Sequence, residues 1–242
     1  MVRNNLKNIR IAIDGGAGTG KSSISQLVAD KLEIEYISTG KLYRALTIIL
    51  VDANAIDDES EISVILKNIQ GKFNYKNGLI YLEDRVFDDS DLNSDFVRRN
   101  INKITVMKIV RDFCSVELER LSKKHGVILE GRDITSVIMT DADFKFYIET
   151  SAMTRAKRRH KQLILMGMET NLKDVLEGIE KRDYSDKNRE IAPLIIVDDA
   201  IIIKNEKRTL EETANYIVEI IKHNISNVPI SSLLAKEISD EI

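Results

Sequence analysis

The sequence has few of the residue types that build disulfide-rich or metal-binding proteins. Its 242 residues include one cysteine, two prolines, three histidines and no tryptophan. A single cysteine, Cys114, rules out an internal disulfide framework, and its place in an apolar helical pattern favours a small core residue. The histidines are scattered without ligand spacing, so we expect no metal site made by side chains alone.

The sequence also lacks long apolar runs and any excess of positive charge. No run approaches the roughly 20 residues of a membrane span, and the N-terminus has no apolar segment of the secretory type. The net charge is −3, so there is no global basic field to attract nucleic acid. We therefore expect a cytoplasmic monomer that contacts neither membrane nor nucleic acid.

A glycine-rich loop between a strand and a helix is the best-defined motif. An apolar run at 9–13 predicts a buried strand, and apolar residues at helical spacing follow Lys21. Between them stands G-x-x-x-x-G-K-S, the phosphate-binding P-loop in the context that it requires. Loop N–H groups and the helix dipole favour an anion, Lys21 adds a positive charge, and the Ser22 hydroxyl suits Mg²⁺. The residues predicted to hold the phosphates of a nucleotide are Gly15, Gly16, Ala17, Gly18, Thr19, Gly20, Lys21, Ser22 and Ser23.

Strand and helix patterns alternate along the rest of the chain. Short apolar runs predict strands at 35–37, 127–130, 144–148 and 200–203, with helical periodicity between them. One of these helices is predicted to run without a break over 104–124. The alternation is typical of an α/β fold with a central parallel sheet.

Residues 71–99 interrupt this alternation. Phe73 and Tyr75 alternate with polar residues, Asn77-Gly78 follows, and a second apolar run comes next. Asn-Gly between two such runs is typical of a type I′ hairpin, because both turn positions need positive φ. We interpret the segment as part of an inserted antiparallel subdomain that extends over about 62–103.

Arginines and aspartates cluster near predicted turns. Residues 39–44 and 131–133 each follow a predicted strand, and a charged turn is predicted at 182–189. Because ligands of open α/β sheets bind beyond the carboxyl ends of the strands, the first two segments should share the crevice of the P-loop. Five basic residues at 155–161 are either a solvated helix face or a lid over ATP phosphates.

Taken together and in order, these motifs resemble the bacterial cytidylate kinase family. The resemblance rests on the P-loop, T-G-x-x-Y-R at 39–44, G-R-D-I at 131–134, R-D-x-x-D-x-x-R at 182–189 and A-P-L at 192–194. It covers residues 9–222 and implies a P-loop NTPase three-layer fold, with an inserted nucleoside-monophosphate-binding subdomain and an arginine-rich lid at about 153–190. It also implies the family's reaction, in which the γ-phosphoryl group of ATP passes to CMP, and by extension dCMP, with Mg²⁺.

The resemblance implies roles for individual residues as well. Residues expected to act in catalysis are Lys21, Arg132, Arg158 and Arg189. Lid residues expected to close on ATP are Arg155, Arg158 and Arg159. Residues expected to hold the acceptor nucleotide are Thr39, Tyr43, Arg44, Asn102, Arg111, Arg132, Asp133, Arg182, Asp186 and Arg189. Ser22 is the one side chain expected to bind Mg²⁺, together with ATP phosphates and water.

Arg111 and Asp133 are the pair expected to read the cytosine. A carboxylate can accept from the N4 amino group, and an arginine can donate to N3 or O2. Uracil presents an acceptor at the same place, which Asp133 would face with like polarity. The alternative is an ion pair between Asp133 and the adjacent Arg132 or an arginine of the lid. Gly16, Ser38 and Asn102 replace the family's usual proline, aspartate and serine, which leaves the choice of base and of ribose over deoxyribose open.

Other functions remain open at this point. One is a kinase for another nucleoside monophosphate, such as UMP or AMP. A nucleotide-binding regulatory module is a second, although N-K-I-T at 102–105 lacks the aspartate of the guanine-reading N-K-x-D. A nucleic-acid-binding role for 155–161 is disfavoured by the net charge of −3. Residues 1–8 are predicted to be a loose N-terminus and 223–242 a C-terminal tail.

Overall fold

The computed structural model describes residues 6–225. Predictions for 1–5 and 226–242, which include most of the predicted tail, lie outside the described residues. The strands are β1 (Arg10–Gly15), β2 (Glu35–Ser38), β3 (Phe73–Lys76), β4 (Leu79–Leu82), β5 (Arg85–Phe87), β6 (Val127–Gly131), β7 (Phe144–Glu149) and β8 (Ile201–Lys204). Five of them form a parallel sheet in the order β2-β6-β1-β7-β8, which confirms the predicted α/β fold with a central parallel sheet.

Helices cover both faces of this sheet. They are α1 (Lys21–Leu32), α2 (Thr39–Asp52), α3 (Glu59–Ile69), α4 (Asp89–Leu92), α5 (Asp95–Thr105), α6 (Lys108–Ser122), α7 (Ala152–Leu165), α8 (Leu172–Asn188) and α9 (Leu210–Ile225). Alternate residues of β1 face opposite layers. Ile11 and Ile13 pack with α1 and α9, while Ala12 belongs to the core shared by α2, α6 and the buried Cys114. Among the described residues, no helix is long and apolar enough to cross a membrane.

The register of β1 places several loops at one edge of the sheet. Asp14 pairs with Gly131 of β6 and with Tyr147 of β7. Because all three strands are parallel, the P-loop, the segment after β6 and the segment after β7 emerge side by side. In this sheet, β2 and β6 lie on one side of β1, and β7 and β8 lie on the other. The chain therefore changes sides at β1, and open α/β sheets form their ligand crevice at such a point.

The predicted hairpin is confirmed. β3, β4 and β5 form a separate antiparallel sheet, and Asn77 and Gly78 have φ values of 53° and 74° at its first turn. The Tyr75 hydroxyl donates to the Ser38 carbonyl at 2.8 Å, and Lys41 Nζ donates to the Gly78 carbonyl at 2.8 Å. These bonds tie the hairpin to the end of β2. The antiparallel part ends at Phe87, however, and α4 and α5 follow where the sequence suggested an antiparallel patch up to 99.

The unbroken helix predicted over 104–124 is wrong. Helix α5 ends at Thr105, and α6 begins at Lys108 after Met107, whose backbone is extended with φ −71° and ψ 123°. Helix α5 packs on α2, whereas α6 packs on both α2 and α3. Apolar periodicity continues through the break and therefore hides it.

The charged turn predicted at 182–189 is also wrong. Helix α8 continues to Asn188, and only Arg189 leaves it, with φ −66° and ψ 143°. None of the side chains of α8 is buried, so the apolar periodicity that reveals a helix is missing from its last turns. Helix α9 begins with a capping box, in which Glu212 Oε2 accepts from the N–H of Thr209 at 2.7 Å and Thr209 Oγ1 accepts from the N–H of Glu212 at 3.2 Å.

Candidate active site

The P-loop is held by its own backbone and by one buried asparagine. Gly18 and Gly20 have φ values of 76° and 88°, which side chains rarely adopt. The Thr19 hydroxyl donates to the Gly16 carbonyl at 3.1 Å, and Asn205 Nδ2 donates to the Thr19 carbonyl at 2.9 Å. Gly20 caps α1 without a side chain, so the first N–H groups of this helix are available to an anion.

Lys21 places a buried ammonium at the mouth of the loop. The residue is 6% exposed, and its Nζ donates to the Gly16 carbonyl at 3.3 Å. Burial and the nearby charge of Arg132 lower the pKa of Lys21 to about 7, while Glu130, at 3.8 Å, raises it in part. A phosphate bound here would place negative charge beside Lys21 and would stabilise the charged form of its ammonium group.

Glu130 connects the P-loop with β2, and the sequence did not single it out. It lies at the end of β6, 4% exposed. Its Oε1 accepts from Ser22 Oγ at 3.0 Å, from Ser38 Oγ at 2.6 Å and from the Tyr36 hydroxyl at 3.4 Å. Its position directly before G-R-D, at the carboxyl end of a predicted strand, was the available signal. The carboxylate orients Ser22 and stands beside the ammonium of Lys21.

Asp14 is a second carboxylate that the sequence did not single out. It is fully buried, and it accepts from the N–H groups of Ile134 and Thr135 at 3.0 and 2.8 Å and from Thr135 Oγ1 at 2.7 Å. Burial raises the pKa of Asp14, and these hydrogen bonds oppose that change. Asp14 thereby fastens the π-helical turn Ile134–Ile138, which begins directly after Asp133, to the strand that leads into the P-loop.

Asp133 is brought together with two of the predicted arginines. Its Oδ2 lies 3.3 Å from Arg111 Nη2 and 3.3 Å from Arg189 Nη2. The ion pair considered as the alternative is therefore present. Burial raises the pKa of Asp133, whereas Arg189 and Arg111 lower it. Within the described residues, Arg111 Nε is buried without a hydrogen-bond partner, so a donor remains for a polar ligand.

Three more of the predicted arginines converge beside this cluster. Arg132 Nε donates to Asp186 Oδ2 at 2.9 Å, and Arg44 Nη1 donates to Asn93 Oδ1 at 2.8 Å. Partial burial lowers the pKa of Arg182, and the nearby charges of Arg132 and Arg44 lower it further. Like charges held together in this way favour an anionic ligand.

The arginines predicted for the lid have different surroundings. Arg155 is buried against the P-loop, where its Nη1 donates to the Ala17 carbonyl at 2.9 Å. Arg158 Nη2 donates to the Asn205 carbonyl at 2.8 Å, next to the loop after β8. Arg159 is exposed. Arg155 packs against the P-loop, whereas Arg159 faces solvent, so the five basic residues do not form one continuous surface.

The remaining predicted residues, Thr39, Tyr43 and Asn102, have different surroundings. Thr39 is buried, with its Oγ1 against the backbone of Gly131. Burial raises the pKa of Tyr43, which lies beside Cys114. Asn102 is exposed on α5, where its carbonyl accepts from Thr105 Oγ1 at 3.4 Å, and it lies outside the hydrogen-bonded network around Asp133. In residues 6–225, no group of three histidine, cysteine or acidic side chains could by itself hold a metal ion.

Comparisons with known proteins point to one family. The family model for cytidylate kinase matches residues 11–223. A cytidylate kinase from Clostridium botulinum (strain Langeland) is 38% identical and covers 90% of this chain and 100% of its own length. A cytidylate kinase from Thermosipho africanus is 38% identical, with 88% and 94% covered, and one from Clostridioides difficile is 37% identical, with 89% and 99% covered. Among solved structures, a gluconokinase from Sinorhizobium meliloti 1021 covers 91% of this chain and 97% of its own at 13% identity and a TM-score of 0.42, too distant a likeness to bear on function.

Proposed function

The chain belongs to the cytidylate kinase family, and from that premise we propose that it transfers the γ-phosphoryl group of ATP to CMP and dCMP. The observation that carries the proposal is the meeting of the P-loop with the Arg111–Asp133–Arg189 cluster at one edge of the sheet. A phosphate-binding loop alone accounts for a nucleotide donor. The arginine and aspartate cluster beside it supplies a place for a polar, anionic acceptor.

On the donor side, the loop at 15–23 and Lys21 would hold the phosphates of ATP. Two features support this assignment: the first N–H groups of α1 lack a capping side chain, and the ammonium of Lys21 is buried with its nearest carboxylate 3.8 Å away. Ser22 would bind Mg²⁺, with Glu130 orienting its hydroxyl. When bound, Mg²⁺ would neutralise charge on the transferred phosphoryl group.

On the acceptor side, Arg44, Arg132 and Arg189 would hold the phosphate of CMP. Arg182 and Asp186 would lie at the ribose, with Thr39, Tyr43 and Asn102 completing the walls. Arg111 and Asp133 would read the cytosine, for which the buried and unpaired Arg111 Nε offers a donor. The ion pair between Arg111 and Asp133 orients both groups before the base arrives.

Catalysis follows from position and charge. An acceptor phosphate oxygen forms a bond to the γ-phosphorus, the bond from that phosphorus to the bridging oxygen of ADP breaks, and CDP or dCDP results. Lys21, Arg132, Arg158 and Arg189 would offset the negative charge that spreads over the transferred group. Nothing in this step requires a dedicated general base, because the acceptor phosphate is already anionic.

The domain organisation is proposed on the same basis. The kinase domain would span 9–222, with a nucleotide-binding insert at about 62–103 and a lid at about 153–190, whose closure would exclude water. Arg155, Arg158 and Arg159 would be the lid's arginines. We propose a cytoplasmic monomer whose partners are small nucleotides rather than nucleic acid or membrane.

A coupled assay of ADP release with CMP, dCMP, UMP and AMP tests the proposal. We expect the highest kcat/KM with CMP or dCMP, and faster turnover of AMP than of CMP would overturn the assignment of the base. Asp133→Asn adds a sharper test. Its amide can donate to the O4 of uracil, so the preference for CMP over UMP should fall by at least about tenfold. Asp141→Asn is the matched control, since Asp141 pairs with Arg10 at the opposite edge of the sheet.

A further inference from the structure

Arg155 is bound on every side by the protein itself. It is 5% exposed, and its Nη1 and Nη2 form a fork with the two carboxylate oxygens of Asp183 at 2.9 and 2.5 Å. Nη1 also donates to the Ala17 carbonyl at 2.9 Å, and Nε donates to the Thr150 carbonyl at 2.9 Å. A bidentate fork fixes both partners in direction as well as distance.

Gly16 makes room for this pair. A Cβ atom at residue 16 would lie 3.2 Å from Asp183 Oδ1 and 3.3 Å from Arg155 Nη1. Both distances are shorter than ordinary van der Waals contact, so a Cβ atom there would require the pair to shift by a few tenths of an ångström. Gly16 is also a place where this sequence departs from the family pattern.

Asp183 lies on α8, the helix that also carries the proposed acceptor residues. One turn further along α8, Asp186 accepts from Arg132 at 2.9 Å. Two carboxylates of α8 thus pair with arginines: Asp183 with Arg155, which contacts the P-loop, and Asp186 with Arg132 of the proposed acceptor site. Helix α8 buries none of its side chains, so packing into the core does not fix its position. Helix α8 packs against α7, and these two ion pairs fix the end of α8 that carries Asp183 and Asp186.

We propose that Asp183 is a positioning residue that links the two nucleotide sites. By holding Arg155 against the Ala17 carbonyl, it joins the P-loop to α8, and α8 carries Arg182 and Asp186 to the acceptor. Binding at the donor site then sets the position of α8 and strengthens binding at the acceptor site. The inference rests on the proposed function, since it needs both nucleotides to bind.

The link can be measured as a coupling between two ligands. We would determine the Kd of CMP by calorimetry with and without AMP-PNP, an ATP analogue that is not hydrolysed. Wild-type protein should bind CMP more tightly with AMP-PNP present, within the roughly 5- to 150-fold range of such couplings. Asp183→Asn keeps the size of the side chain but removes its charge and the fork, so the coupling should fall to less than about twofold.

Three further variants separate a link from mere loss of stability. Arg155→Lys keeps the positive charge without the fork and should lose the coupling as Asp183→Asn does, with no additional loss in the double variant. Gly16→Ala keeps every charge and should reduce the coupling by displacing the pair. Asp141→Asn breaks the bidentate pair with Arg10 far from the site and should leave the coupling unchanged.

The outcomes are distinguishable. Coupling retained in a folded Asp183→Asn protein, or absent from the wild type, overturns the inference while both nucleotides still bind. Failure of the wild type to bind either nucleotide contradicts the proposed function instead. Circular dichroism would show whether Asp183→Asn folds. If it does not, Arg155→Lys and Gly16→Ala decide, because both variants keep a cation beside the carboxylate of Asp183.

Discussion

Replacing Lys21 with methionine should stabilise the folded protein at pH 6 while abolishing phosphoryl transfer. Burial is the main reason that the pKa of Lys21 falls from 10.5 to about 7. A difference of one pKa unit corresponds to about 1.4 kcal/mol, so keeping the charged ammonium in the fold costs about 3 to 5 kcal/mol below pH 7. Methionine retains most of the aliphatic volume and removes the charge.

The gain in stability should depend on pH in one direction. Between pH 7 and about 10.5, the lysine is protonated in the unfolded chain and neutral in the fold, so the unfolded state binds more protons. The free energy of unfolding of the wild type therefore rises with pH relative to that of Lys21→Met. The advantage of the variant should be complete at pH 7 and below, and it should shrink by about 1.4 kcal/mol for each pH unit above 7.

Urea unfolding at pH 6, 7.5 and 9 measures this trend. Lys31→Met is the matched control, because Lys31 lies on the same helix and pairs at the surface with Glu211 at 2.5 Å. A surface pair contributes about 0 to 1 kcal/mol, so this control should show a small change without a comparable pH trend. The reasoning is refuted if Lys21→Met is no more stable than the wild type at pH 6, or if its advantage persists unchanged at pH 9.

Three other predictions concern the acceptor site and the insert. Arg189→Ala should lower kcat/KM for CMP by about 100-fold or more in the coupled assay, with the circular dichroism spectrum unchanged, and near-normal turnover would contradict its role. Asp14→Asn weakens the support of the turn after Asp133, so it should raise KM for CMP more than KM for ATP and cost about 1 to 3 kcal/mol of stability; equal rises in both KM values would argue against a specific link. Phe73 is 1% exposed, and its ring lies edge-on to that of Phe113. Phe73→Ala should lower the free energy of unfolding by about 3 to 5 kcal/mol, as measured by urea unfolding. A loss below about 1 kcal/mol would mean that the core of the insert is not shared with α6.

The parts of the fold that apolar spacing specifies were predictable from the sequence. Strands such as β6 are continuous apolar runs, since parallel strands are covered on both faces. The hairpin was predictable because only a few residue types accept the backbone of its turn. The end of α8 was not, because its last turns are polar or exposed and carry no apolar periodicity, and the break at Met107 was not, because apolar spacing continues across it.

The predicted site depends on a different kind of information. Arg111 and Asp133 lie on separate elements, and only the resemblance to a family paired them before the structure did. Asp14 and Glu130 are single carboxylates within apolar runs, a pattern that forms no motif. Their importance follows from the parallel register, which places the ends of β1 and β6 beside each other. The spacing of residues along one strand does not show which residues of the neighbouring strand lie beside it.

The burial of Cys114 gives the protein a practical use. Cys114 is the one cysteine of the chain and is 0% exposed, and burial raises the pKa of its thiol. The folded protein should therefore react very slowly with thiol-reactive dyes. Met166→Cys, at the exposed tip between α7 and α8, and Val86→Cys, on an exposed part of β5, would then accept a donor and an acceptor fluorophore without background labelling. Energy transfer between them would test whether the proposed lid closes over the insert when nucleotides bind.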